Sequence, residues 1–116
     1  MVTVAETTEY ARKAGKLLFE NERTELICYL ASHPNAGDVM EGTGEVRKLR
    51  WAREGRGKSG GVRVIYFFYN EGLPLYLLTV YGKNEKSNLS PAERNQLAKL
   101  TSLLVKGARG VDGGNQ

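Results

Sequence analysis

The sequence predicts an α+β domain, and three observations predict it. Helical periodicity marks two stretches between residues 6 and 33, three runs of strand character lie between residues 46 and 81, and a capping box opens a further helix at Ser90. At 116 residues and 41% apolar, the chain suits one compact domain with a modest core. That domain is placed at residues 1–106. The tail 107–116 has four glycines in ten residues and no periodicity, so it is expected to be disordered.

A short strand at Val2 to Val4 precedes the first helix. Tyr10, Ala14, Leu17 and Leu18 fall at i, i+4, i+7 and i+8, so residues 6–18 read as an amphipathic helix. Asn21 is a candidate cap for a second helix with Glu22 and Glu25 in its first turn and Leu26, Ile27, Leu30 and Ala31 on its apolar face. Cys28 lies among these apolar residues, and a small buried side chain is the expectation for it. As the single cysteine it excludes an internal disulfide. His33, Pro34 and Gly37 end the helix, and residues 38–45 read as loop.

In Val46 to Ala52, Leu49 and Trp51 alternate with Lys48 and Arg50, which places two cations on one exposed face. Val62 to Tyr69 is apolar on both parities apart from Arg63, as in a central strand, and Leu75 to Tyr81 behaves likewise. Asn70, Glu71, Gly72 and Pro74 turn the chain between them, so the order implies an antiparallel meander. Ser90-Pro91-Ala92-Glu93 combines a capping box with proline at the first helical position. Leu97, Leu100, Leu103 and Leu104 form the predicted buried stripe, and Gly107 the stop.

Charge is where function shows. The segment 47–63, RKLRWAREGRGKSGGVR, holds seven basic residues and one acid, a local charge of +6. Taking these from the chain's 17 basic and 13 acidic residues leaves 10 and 12, so the remaining 99 positions are net −2. A patch of this kind suits a polyphosphate partner. Lys48, Arg50 and Arg63 sit on strands, whereas Arg53, Arg56 and Lys58 alternate with glycines in a loop that suits docking on RNA, with Arg47 beside them. An arginine in a strand as apolar as Val62 to Tyr69 is costly to hold without an anionic partner. Lys83 and Lys86 follow the last strand, whose end lies beside the start of the middle one, so they approach Arg63.

Several classes drop out. Gly57-Lys58-Ser59 is no phosphate-binding loop of the nucleotide hydrolases, because Ala52 stands where that motif needs its first glycine and a strand follows instead of a helix. One histidine and one cysteine leave only carboxylates for a metal, and Glu41, Glu45 and Glu54 lack ligand spacing, so neither metal nor cofactor is expected. No apolar run approaches the roughly 18–20 residues of a membrane span, and the N-terminus lacks the order of a secretory signal. The expected location is the cytosol, with no membrane partner.

Taken together, Gly42-Thr43-Gly44, the strand from Val46 to Arg50, the run Gly57 to Phe67 and the run Tyr76 to Glu85 resemble the HigB branch of the RelE/ParE toxin superfamily. The resemblance implies two N-terminal helices packed on a small, mainly antiparallel sheet, plus here a C-terminal helix. It implies the toxin of a type II toxin–antitoxin pair that enters the ribosomal A site and cuts mRNA there, inhibiting translation. Its partners would be a cognate helix-turn-helix antitoxin, small-subunit ribosomal RNA and A-site mRNA. Metal-independent cleavage uses the ribose 2′-OH against the adjacent phosphate, and needs a base, charge stabilisation and an acid. Arg63 suits charge stabilisation, because its fork contacts two phosphate oxygens. Lys48 and Arg50 match the family's cationic strand positions, and Lys83 its glycine-lysine turn.

The chain departs from RelE where that toxin has a tyrosine, since Ser90 stands there, and where it has an arginine, since Asn84 stands there. Base and acid are then sought among Lys58, Lys83, Glu85, Tyr66 and Tyr81. Parity puts Tyr66 on the face opposite Arg63, which makes Tyr81 the better aromatic candidate. Two readings compete with the nuclease. One is a ParE-like toxin that inhibits DNA gyrase with the same fold but without the cationic cluster; the other is a basic RNA-binding module without chemistry.

Overall fold

The computed structural model describes residues 1–53, 61–85 and 88–113, with side chains up to 107. The chain runs β1 (Val4–Glu6), α1 (Thr8–Leu17), α2 (Glu20–Ser32), β2 (Asp38–Val39), β3 (Val46–Trp51), β4 (Val62–Phe67), β5 (Leu75–Gly82) and α3 (Pro91–Gly113). The strands form one sheet in the order β1-β5-β4-β3-β2. Only β1 pairs in parallel, with β5, and the three other pairings are antiparallel. The α+β architecture read from the sequence is therefore the one observed, with β1 and β2 flanking the expected meander. No helix among the described residues is long and apolar enough to cross a membrane.

Helix α1 begins at Thr7, whose hydroxyl accepts from the Tyr10 N–H at 3.3 Å and donates to the Leu77 carbonyl at 2.8 Å. One side chain thus caps the helix and fastens it to β5. Asn21 does not cap α2. The helix starts two residues earlier, at Glu20, and the Glu22 carboxylate reaches back to the Phe19 N–H at 2.7 Å. Glu22, Leu26 and Leu30 point inward at a spacing of four, so Cys28, two positions from Leu26, faces outward and is exposed rather than buried.

Two apolar layers sandwich the sheet. On one face Tyr10, Ala14, Leu26 and Leu30 of the N-terminal helices pack on Val62, Val64, Tyr66, Leu77 and Val80. On the other, Leu97, Leu104 and Val105 of α3 pack with Val46, Ile65, Phe67 and Leu78. The stripe predicted for α3 is corrected in part. Leu100 and Leu103 are exposed, and Thr101 takes the buried position between Leu97 and Leu104. The capping box forms in both directions, Ser90 N–H to Glu93 at 2.8 Å and Glu93 N–H to Ser90 Oγ at 3.2 Å. Gly107 does not stop the helix, which runs on to Gly113; glycine within a helix costs only about 1 kcal/mol and imposes no break.

Part of the segment read as loop before β3 is a two-residue edge strand followed by a clasp for α3. Gly42, Gly44 and Glu45 all have left-handed backbone (φ 74°, 72° and 75°), which curls the chain around the buried Thr43. The Thr43 hydroxyl donates to the Met40 carbonyl and accepts from the Val46 N–H, while the Thr43 carbonyl accepts from Thr101 Oγ1 at 3.2 Å. A Cβ on Gly44 would collide with Thr101 Oγ1. Small size and positive φ are both required there.

Candidate functional site

The register of the central strands assembles the site. Arg50 of β3 lies opposite Arg63 of β4, and Arg63 lies opposite Tyr81 of β5, so the three side chains share a row on one face. Lys48 is two residues along β3 on that same face. It is the face α3 covers, but α3 packs over Val46, Ile65 and Phe67, toward the other end of the β3–β4 ladder. The cationic end stays open. Lys83 arrives from the turn after β5, whose backbone N–H donates to the Gly61 carbonyl at 3.3 Å, just before β4 begins.

Lys48, Arg50, Arg63 and Lys83 line one open cleft of ≈ 660 Å³ together with Asp38 and Asn88. Lys48 Nζ donates to Asn88 Oδ1 at 3.2 Å. Neither Arg50 nor Arg63 pairs with a carboxylate among the described residues, where the ion pairs are Lys13–Glu9 and Arg23–Glu6, both at 3.5 Å. Two like charges directly opposed across strands destabilise a sheet by roughly 0.2–1 kcal/mol. A bound anion would remove that repulsion, and two guanidinium forks on rigid strands match the geometry of a phosphate.

The other residues singled out from the sequence are placed differently. Tyr81 is in the row but 1% exposed, beneath the cations and packed in the α3-side core. The Glu85 carboxylate accepts from the Gly82 N–H at 3.1 Å and so closes the turn that carries Lys83. Tyr66 is on the opposite face, as parity requires, and fully buried. Its hydroxyl accepts from the Gly37 N–H at 2.8 Å and donates to the Pro34 carbonyl at 2.9 Å. Burial pushes its pKa up, opposed by the Gly37 hydrogen bond and the Arg47 charge.

The structure does not bring Arg47 or Arg53 to the cleft. Arg47 alternates away from Lys48 and straps the 35–37 loop, donating to the carbonyls of Asn35 at 3.1 Å and Gly37 at 2.7 Å. Arg53 donates to the Leu17 carbonyl at 3.2 Å, at the C-terminal end of α1 where free carbonyls favour a cation. Arg56, Lys58 and Lys86 lie outside the described residues.

Two cleft residues escaped the sequence reading. Asp38 belongs to a strand too short for any periodicity, and Asn88 precedes the Ser90 cap without a motif of its own. The one available signal for Asn88 was that the cap fixes where the chain returns to the sheet. His33 caps α2 through its backbone N–H to the Tyr29 carbonyl, is exposed, and stacks on Tyr29 with ring centroids 4.6 Å apart. Comparison with known families finds that the model described as the RelE toxin of the RelE/RelB toxin–antitoxin system matches residues 6–109.

Proposed function

We propose, from the premise that the chain belongs to the RelE toxin family, that it is a ribosome-dependent, metal-independent mRNA endonuclease of the HigB branch. As a toxin of a toxin–antitoxin system it has an antitoxin partner, and our reading makes that partner a helix-turn-helix protein. The toxin domain spans residues 1–106 and acts in the cytoplasm on A-site mRNA.

The observation that carries this reading is the convergence of Lys48, Arg50, Arg63 and Lys83 on one cleft at the open end of the sheet. The cluster speaks against a ParE-like gyrase inhibitor, whose version of the fold lacks it; a passive RNA-binding module would use the same cations, and the cleavage assay below separates it from the nuclease. In this reading Arg63 and Arg50 hold the nonbridging oxygens of the scissile phosphate. Their hydrogen bonds strengthen as charge accumulates in the phosphorane-like transition state. Lys83 donates the proton to the departing 5′ oxygen, and Lys48, positioned by Asn88, adds charge on the side of attack. Tyr81 supports Arg63 from below, and Glu85 holds the Lys83 turn. Arg56, Lys58 and Lys86 would contact ribosomal RNA.

The cleft also gives a reason for dependence on the ribosome. Among the described residues its lining contains no aromatic side chain, and so none of the stacking that contributes roughly 1–3 kcal/mol per base in proteins that grip single strands unaided. It is suited to grip a phosphate on a strand that something else presents.

Mapping 5′ ends of a translated message after induction of wild type and Arg63→Ala tests the proposal. Cuts at codon positions that vanish in the variant are expected. Gyrase-linked DNA damage with intact mRNA would overturn it.

A further inference from the structure

The four cations of the cleft leave one chemical task without an agent. Cleavage by the 2′-OH must begin with removal of its proton; an arginine guanidinium does not accept one, and a lysine accepts one only after its ammonium has lost its own. Tyr66 is on the far face with its hydroxyl bonded to Gly37 and Pro34, and Glu85, whose Oε1 accepts from the Gly82 N–H, is not among the described residues that line the cleft. Tyr81 is buried beneath the cations.

Among the described residues that line the cleft, the one carboxylate is that of Asp38. It stands on edge strand β2 directly opposite Lys48, so the two side chains share the cleft face. It is exposed, and it makes no hydrogen bond or ion pair among the described residues. Lys48, its cross-strand neighbour, donates to Asn88 rather than to this carboxylate, whose charge also acts on the Tyr66 hydroxyl.

We propose that Asp38 is the general base of the reaction, taking the proton from the ribose 2′-OH; this rests on the nuclease reading above. The step balances without a co-reactant. The 2′ O–H bond breaks and its proton passes to the Asp38 carboxylate as the 2′ oxygen forms its bond to phosphorus. The bond from phosphorus to the 5′ oxygen breaks, and that oxygen takes a proton from the Lys83 ammonium. The products are a 2′,3′-cyclic phosphate and a 5′-OH, and solvent restores both side chains. Lys48 and Arg50 beside Asp38 keep its charge compatible with an incoming phosphate, which a bare carboxylate would repel.

The test is single-turnover cleavage of mRNA in the A site of purified, saturating ribosomes, comparing wild type, Asp38→Asn and Asp38→Glu across pH. The expected result for Asp38→Asn is a rate lower by about 10²–10⁴ with ribosome binding retained. Its residual rate should rise about tenfold per pH unit, as hydroxide replaces the lost base, and Asp38→Glu should recover part of the rate. An Asp38→Asn rate within about threefold of wild type overturns the assignment. So does a defect confined to ribosome binding that saturation abolishes. Absence of cleavage by wild type itself would overturn the nuclease reading as well, whereas equal cleavage by wild type and Asp38→Asn overturns only the role of Asp38.

Discussion

Arg47, Lys48 and Arg50 are close in sequence, yet alternation along β3 separates their work. Lys48 and Arg50 face the cleft, while Arg47 turns to the other face and holds the 35–37 loop through two carbonyls. Arg63→Ala should therefore lower the cleavage rate about 10²–10³-fold, equivalent to roughly 3 kcal/mol of barrier, with little change in melting temperature. Arg47→Ala should do the reverse, lowering Tm and leaving the rate at saturating ribosomes nearly intact. Parallel thermal melts and single-turnover assays separate the two.

A second residue-scale prediction concerns Tyr10, whose buried hydroxyl has no hydrogen-bond partner among the described residues. Burial and the nearby Glu6 charge push its pKa up to about 12, against a smaller opposing effect of Arg23. A phenol whose folded pKa lies above its unfolded value stabilises the fold fully below the unfolded value near 10. That contribution is lost as pH rises from there toward 12, because the unfolded chain releases its proton first. Tyr10→Phe removes this dependence. Its stability should fall less between pH 9 and 11 than that of wild type, by roughly 1 kcal/mol in urea titrations. An identical alkaline loss in both proteins would contradict the assignment.

At the scale of elements, the clasp between residues 40–46 and α3 explains a motif whose purpose is invisible in the sequence. Gly42-Thr43-Gly44 looks like a loop signature; it is the socket in which Thr101 of α3 seats. The two glycines should differ under substitution. Gly42→Ala meets nothing within 4 Å and bears only the left-handed backbone, about 1 kcal/mol. Gly44→Ala adds the collision with Thr101 and should cost about 2 kcal/mol or more, with Ser90→Ala near 1 kcal/mol as a capping reference. Melting curves of the three variants check the order.

The same elements show what was legible beforehand. The meander, its parity and the Ser90–Glu93 cap could be read because each is a local pattern of period two or of fixed spacing. The β2 strand, the outward turn of Cys28 and the burial of Thr101 in place of Leu100 could not, because long-range packing decides them. In the site, Lys48, Arg50, Arg63 and Lys83 stood out as cations in register. Asp38 and Asn88 became visible only when the chain's return to the sheet was known.

The whole molecule separates scaffold from chemistry. α1 and α2 pack on one face of the sheet, α3 packs on part of the other, and the open end of that face carries the cations. Charge at this scale is uneven rather than large, since the net +4 conceals a segment of +6. Binding of a single-stranded RNA should weaken with salt, with a slope in log K against log salt near −0.7 for each phosphate neutralised. Arg50→Ala should make that slope shallower by about 0.7, whereas Arg53→Ala, at the α1 terminus, should leave it unchanged. Equal slopes for wild type and Arg50→Ala would place the cleft outside the RNA footprint.

On the nuclease reading, this cleft cuts RNA with the substrate's own 2′-OH. That reading is tested most directly by presenting A-site mRNA with a single 2′-deoxy substitution at the scissile nucleotide, and analysing the ends of any product. The all-ribose message should yield a 2′,3′-cyclic phosphate and a 5′-OH, and the substituted message should stay intact at that site. Cleavage of the 2′-deoxy message, or a product bearing a 5′-phosphate, would contradict that reading.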